Sequence, residues 1–265
     1  MTSLLDASTV RVMDVLRGER GERPTANTTS AAGLRAQLED GIFDVLGATM
    51  LDVPFTLRAS SLRHPPHTFD LSSSGLAQVR GILVTQVLRL MSIGVSVDNA
   101  FDDALLAWRC DVGENDLTRH VERLAPDELA RLATDVTAHS VTLKRSLGPL
   151  STRWQPRTSL RAYQRLAGGN VILRDVIDLM VGTTTSDVAS VALLDVTTSP
   201  LCEGAERVLR YHALVQTLRT STVPLRTSMF STATGELWSS DVDDVLLARG
   251  VDDVLRALRE MKDAA

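Results

Sequence analysis

The tightest constraint in this chain is a pair of alternating apolar runs, each carrying one aspartate, on either side of a turn-rich segment. A strand sends successive side chains to opposite faces, so residues of one parity share a face. In 170–181 Ile172, Val176, Asp178 and Met180 share a parity, and in 191–198 Val191, Leu193, Asp195 and Thr197 do. Gly182-Thr183-Thr184-Thr185-Ser186-Asp187 between them reads as a reversal that lets the two strands lie side by side. Two carboxylates would then meet at one point, which is how an oxygen-ligand site for a hard divalent cation is built. The position two beyond the second acid is Thr197, an uncharged group, so the site is expected to be incomplete.

The surrounding pattern places these runs in a larger sheet. A strand-like stretch at 160–167 meets 170–181 across Gly168-Gly169, a two-glycine hairpin signal. After the strand at 189–197 come a helix at 204–219, a strand at 224–232, a turn at Thr234-Gly235-Glu236, a strand at 237–239 and a helix at 241–260. The front half reads as mainly helical. Helices are expected at 3–17, 34–47, 75–93, 99–110 (capped by Asp98), 115–124 and 126–146, with 52–64 extended until His64-Pro65-Pro66-His67 breaks it. The 75–93 helix is apolar nearly all round and should be central. The expected organisation is an N-terminal helix (1–18), a polar linker (19–33), a helical part (34–150) and a β-rich core (151–265). The fold class is α+β, a central mixed sheet flanked by helices with an α-rich N-terminal half.

Composition removes several function classes. With 44% hydrophobic residues, no apolar run approaches the roughly 20 residues of a membrane span, and no membrane partner is expected. The start lacks a basic segment and cleavage pattern, and the two cysteines, Cys110 and Cys202, share no CxxC spacing, so a reduced cytoplasmic setting is expected. They cannot support an iron–sulfur cluster, and His64, His67, His120, His139 and His212 show no zinc-ligand spacing. His212 follows Tyr211 and points away from it on a helix. No GxSxG elbow supports serine hydrolysis, and Gly168-Gly169 is a hairpin rather than a phosphate loop. Net charge is −5, so contact with nucleic acid would need a local patch. Arg153, Arg157, Arg161, Arg165 and Arg174 lie in a stretch with no acid between 153 and 174, a candidate for backbone phosphates or simply a solvated surface. Only Lys144 and Lys262 could supply a lysine ammonium, and neither lies in the strand pair.

The motifs of 156–249 have a family likeness. Pro156-Arg157-Thr158, Leu166-Ala167-Gly168-Gly169-Asn170-Val171-Ile172-Leu173, Val176-Ile177-Asp178-Leu179, Leu193-Leu194-Asp195, Leu209-Arg210-Tyr211-His212-Ala213-Leu214 and Val223-Pro224-Leu225-Arg226-Thr227 with its return through Trp238 fall in one order. In that order the segment resembles the PD-(D/E)XK nuclease superfamily, in its RecB-like branch common in actinobacteria. The resemblance implies a restriction-endonuclease-like core, with Asp178 and Asp195 as metal-binding and catalytic acids for Mg²⁺ or Mn²⁺. It puts the catalytic lysine at Thr197 and a metal-assisting histidine at Thr85, while the branch's Gln-x-x-x-Tyr becomes Arg207-x-x-x-Tyr211, keeping Tyr211 as a candidate site residue.

A lysine ammonium in such a site positions the attacking water and offsets charge building on the phosphate. A threonine hydroxyl donates a hydrogen bond but brings no charge and is no base near neutrality. The expectation is therefore a weakened or inactive nuclease-like protein with a weakly bound cation. It would bind DNA through Arg157, Arg161, Arg174 and Arg207, or dock on a DNA-processing protein. Two alternatives stay open: an active nuclease whose cation comes from an arginine or from Lys144, and a non-DNA assembly protein that uses the front half for homo-oligomer or partner contacts.

Overall fold

The computed structural model of the chain describes residues 3–6, 11–18, 28–47, 51–63, 71–183 and 189–264. The N-terminal helix expected over 1–18 is instead a strand, β1 (Ser3–Asp6), and a short helix, α1 (Val12–Arg17). β1 finds a ladder partner more than two hundred residues away, and that distant pairing overrides the helical spacing of Leu4 and Leu5. Val12, Met13 and Leu16 are buried, so α1 uses its apolar side at home instead of offering it to a neighbour. Helix α2 (Thr28–Leu46) begins inside the segment expected as a linker, of which 19–27 lies outside the described residues. The stretch expected to be extended over 52–64 holds strand β2 (Phe55–Arg58) and then turns into helix α3 (Ala59–Arg63); the His-Pro-Pro-His break lies outside the described residues.

Four helices follow, close to their expected places: α4 (Leu71–Ser92), α5 (Ala100–Val112), α6 (Asp116–Glu122) and α7 (Pro126–Leu147). Asp98 does not cap α5. It accepts a hydrogen bond from the Ser96 hydroxyl, and Asn99 holds the cap position. The Asn115 side chain accepts the backbone N–H groups of Leu117 and Thr118, and the Thr118 hydroxyl accepts from Asn115, which fixes the start of α6. Pro126 in the first turn, with Glu128 bonded back to the Ala125 N–H, starts α7 as its sequence predicts.

The C-terminal half gives β3 (Arg157–Leu166), β4 (Val171–Val181), β5 (Ala192–Thr197), helix α8 (Gly204–Thr220), β6 (Arg226–Ser231), β7 (Glu236–Asp241) and helix α9 (Asp244–Asp263), in the expected order. The β3–β4 connection is wider than a two-residue hairpin. It is one turn of 3-10 helix over Ala167–Gly169, with positive φ at Ala167 (50°), Gly168 (67°) and Gly169 (106°), a conformation glycine adopts without steric cost. Among the described residues the strands form one mixed sheet in the order β1-β7-β6-β5-β4-β2, with β3 pairing β4. The front half thus supplies an edge strand beside β7 and a parallel partner for β4.

Helices cover both faces of this sheet, as the α+β reading expects. On one side α1, α4, α5 and α7 pack with Leu179, Val181, Ala192, Leu194 and Phe230. On the other, α2, α8 and α9 pack with Leu57, Ala162, Leu166, Val171 and Leu173. Each fully buried side chain of this kind, such as Leu83 or Leu214, contributes about 1.5–3 kcal/mol. Among the described residues, no helix is long and apolar enough to cross a membrane.

Candidate functional site

The site grows out of a gap in the ladder of β4. β3 pairs along one edge of β4, while the other edge is shared: β2 takes Val171–Arg174 and β5 takes Leu179–Val181. Asp175, Val176, Ile177 and Asp178 therefore have no strand partner on that edge. The sharing works because β2 and β5 leave β4 with side chains standing in for the missing ladder. The Tyr211 hydroxyl lies 3.0 Å from the carbonyl oxygens of both Leu57 and Arg174, where β2 departs. At the other end the Val196 N–H donates to the Asp178 carboxylate at 2.8 Å, where β5 departs.

Asp178 and Asp195 face one another at this second departure. The β4–β5 register pairs Leu179 with Leu194, so the next rung outward is Asp178 opposite Asp195. Their side chains are hydrogen-bonded to each other, which requires one carboxyl to hold a proton. Burial, and then the charge of Asp195, hold Asp178 well above the usual carboxylate range. The two acids thus meet as the strand periodicity predicts, although the reversal joining the strands lies partly outside the described residues (184–188).

Simple alternation along β4, however, fails. Ile177 and Met180, of opposite parity, belong to one cluster with Val191 and Leu193. Across the sheet, Thr158 pairs Leu179 and Leu160 pairs Ile177, but the rung between them, Ser159 with Asp178, is skipped, and Ser159 has a φ of 52°. The strand changes face at Asp178, as at a bulge. Asp175 and Asp178, three residues apart, lie on opposite sides as plain alternation requires, and the irregularity instead brings Leu179 to the side of Asp178.

Asp175 turns to α8. Its two carboxylate oxygens each lie 2.9 Å from His212 Nδ1, and both side chains are buried. His212 Nε2 is buried with no hydrogen-bond partner and points at Asp195, 3.9 Å from its Oδ2. Burial opposes the charged imidazole, but the charge and hydrogen bond of Asp175, and then Asp195, hold its pKa well above the usual histidine value. No motif in the sequence marks Asp175, and His212 has no zinc-ligand spacing that would single it out among the histidines. A buried acid thirty-seven residues from a buried histidine becomes a pair only through helix–sheet packing.

In front of the acid pair lies a cavity of about 480 Å³, lined by Asp178, Asp195, Val196, Thr197, Thr198, Ser199 and Val176, and by α4. Ala77, Gln78, Gly81, Ile82, Thr85 and Gln86 form the α4 wall at helical spacing. Gly81 opens space there, since a Cβ at this position would meet nothing within 4 Å. Thr197 and Thr85, the expected lysine and histidine positions, thus line the same cavity as both acids, and no lysine, arginine or histidine is among the lining residues. Lys144 is not a relocated cation: its ammonium donates to the Val97 carbonyl. Tyr211, expected near the site, is fully buried at the β2 departure instead and lines neither this cavity nor the next.

The arginine candidates separate. Arg161 and Arg174 line a second cavity of about 700 Å³ with Arg58, Tyr163, Asp175 and Val176, the last shared with the acid cavity. The Arg165 guanidinium stacks on the exposed Tyr163 ring, 5.5 Å from its centroid. Among the described residues no acid pairs with Arg58, Arg161, Arg165 or Arg174. Arg157 is elsewhere, donating to the Gly182 carbonyl at 2.8 Å, and Arg207, half-buried on α8, lines neither cavity.

The residues present suit a hard or borderline divalent cation through two carboxylates, with an orphaned imidazole nitrogen behind them. Among the described residues no three histidine, cysteine or acidic side chains are already gathered as a ligand cluster. No family model and no curated protein matches the chain. Among solved structures it is similar to SSO0001 at 10% identity over 84% of this chain and 83% of that one, with a TM-score of 0.33.

Proposed function

We propose that the chain is a PD-(D/E)XK-like protein that has kept its acids and lost the cation needed for efficient cleavage, and that it acts in the cytoplasm by binding DNA or a DNA-processing partner. The observation that carries this reading is the composition of the acid cavity: Asp178 and Asp195 line it together with Thr197 and Thr85, and no cationic side chain does. Two carboxylates hold Mg²⁺ or Mn²⁺ weakly, completed by waters and carbonyl oxygens. When bound, the cation would polarise a phosphate and a water; without a neighbouring positive group, hydrolysis loses about 10²–10³ in rate. The adjoining cavity of Arg58, Arg161 and Arg174, with Tyr163 exposed beside it, suits phosphates and a stacked base. Two exposed, unpaired cysteines fit a reducing compartment.

A cleavage assay on single- and double-stranded DNA with Mg²⁺ and with Mn²⁺ tests this. The expected outcome is DNA binding at low salt with little or no cleavage. Robust cleavage abolished by Asp195→Ala would overturn the loss of activity. Absence of DNA binding, with a protein partner recovered, would move the chain to the assembly class.

A further inference from the structure

We propose that His212 is the third ligand of the acid-pair site, which makes it a His/Asp/Asp centre for a first-row divalent transition metal rather than a carboxylate site for Mg²⁺. This rests on the reading that Asp178 and Asp195 hold a cation. The geometry behind it is independent of the family likeness. His212 is buried, its Nε2 has no hydrogen-bond partner, and a buried polar nitrogen without a partner is unfavourable. The fold keeps that nitrogen aimed at Asp195 Oδ2, 3.9 Å away. This is too long for a hydrogen bond, but within the separation of two donors that each lie about 2.1 Å from one metal ion.

The other ring nitrogen is held as a metal-ligating histidine usually is. Nδ1 lies 2.9 Å from both oxygens of the buried Asp175, an arrangement in which a carboxylate fixes the tautomer and turns Nε2 toward the metal. Nδ1–H donates to Asp175, and once the proton on Nε2 has left its lone pair is free for the cation. The three donors have not converged, so binding must break the hydrogen bond between Asp178 and Asp195 and draw Asp195 toward Nε2. The metal takes the place of the proton between the acids and of the proton on Nε2, and both protons leave to solvent. Entry is through the acid cavity, since Asp195 is about one-fifth exposed while His212 is closed off. An imidazole nitrogen suits manganese through zinc and contributes little to Mg²⁺, which takes oxygen ligands and keeps its waters.

The test uses the full chain with Mn²⁺ alone and Mg²⁺ alone, reading affinity by calorimetry and the Mn²⁺ ligands by pulsed electron paramagnetic resonance. The expected result is Mn²⁺ binding at least about tenfold tighter than Mg²⁺, with nitrogen hyperfine coupling in the Mn²⁺ spectrum. His212→Asn keeps a donor for Asp175 and removes Nε2; it should abolish the coupling and cost about tenfold or more in Mn²⁺ affinity while leaving Mg²⁺ affinity within about twofold. Asp195→Asn should weaken both ions. Absence of nitrogen coupling in the wild-type spectrum overturns the proposal even if the His212 variant fails to fold, as does equal Mn²⁺ affinity in a folded His212→Asn. Should Asp195→Asn bind both ions like wild type, the cation reading of the acid pair falls with it.

Discussion

Two neighbouring cavities share Val176 and have opposite character. One holds Asp178 and Asp195 with threonines and no cation; the other holds Arg58, Arg161 and Arg174 without acids paired to them. Phosphodiester hydrolysis needs both kinds of charge at one point, since a metal held by carboxylates and a nearby cation stabilise the same transition state. Here the sheet holds them apart. The division follows from the gap in β4: it opens at Asp175, just past Arg174 where the β2 ladder ends, and closes at Asp178, just before Leu179 where the β5 ladder begins. Asp175 reaches the arginine cavity, yet its carboxylate is taken up by His212. The lesson is that possession of both charge types on one sheet does not make a catalytic site; only their convergence does.

The largest expected effect comes from cutting the link between the two regions. Asp175→Ala would leave the His212 imidazole buried without its partner, and breaking such a pair costs about 3–5 kcal/mol. Chemical denaturation should show that loss, and an effect under about 1 kcal/mol would mean the pair is structurally idle. Next is an attempt to bring the charges together. Thr197→Lys, alone and with Thr85→His, should give Mg²⁺-dependent nicking of DNA, raising the rate by about 10²–10³ over wild type. A folded variant with no gain would separate the fold from the residue assignments.

A smaller effect tests the basic side alone. Arg161→Glu with Arg174→Glu should weaken DNA binding about tenfold or more at low salt and flatten its salt dependence by about two charges. Arg157→Ala should change it little, because that guanidinium is engaged with the Gly182 carbonyl. Fluorescence anisotropy across a salt series reads both. If Arg157→Ala weakens binding as much as the double variant, the division between the arginines is wrong.

The smallest effect concerns the proton between the acids. Asp178 has a folded-state pKa raised above its unfolded value, chiefly by burial and then by Asp195. Its favourable contribution is therefore full below the unfolded value near 4 and is lost as pH rises through the raised one. Asp178→Asn keeps an acceptor for the Val196 N–H and a donor for Asp195 while never ionising. It should raise the melting temperature near neutral pH and leave it unchanged in acid. Equal melting shifts at both pH values would show that the ionisation of Asp178 does not govern stability here.

Legibility in the sequence followed the range of the interaction. Alternation and turn residues are local, so three strands read at 160–167, 170–181 and 189–197, found at 157–166, 171–181 and 192–197, could be read along the chain, as could the flanking helices α4 to α9 and the meeting of Asp178 with Asp195. Thr85 and Thr197 were placed by likeness to a family, and α4 does bring them to one cavity. Local signals misled where distant pairing won, as at β1, whose partner is β7, and at Tyr211, whose hydroxyl serves the ladder end.

By itself, then, the sequence determined which residues could form a sheet and that two acids would meet from adjacent strands, because period-two geometry is a property of neighbours in the chain. Only the tertiary structure decided that β4 would change face at Asp178, that Asp175 would engage His212 across a helix–sheet interface, and that the arginines would gather in a separate cavity. Those outcomes depend on which elements pack against β4 along its shared edge. Such packing is set by contacts between residues tens to hundreds of positions apart, and no local pattern encodes it.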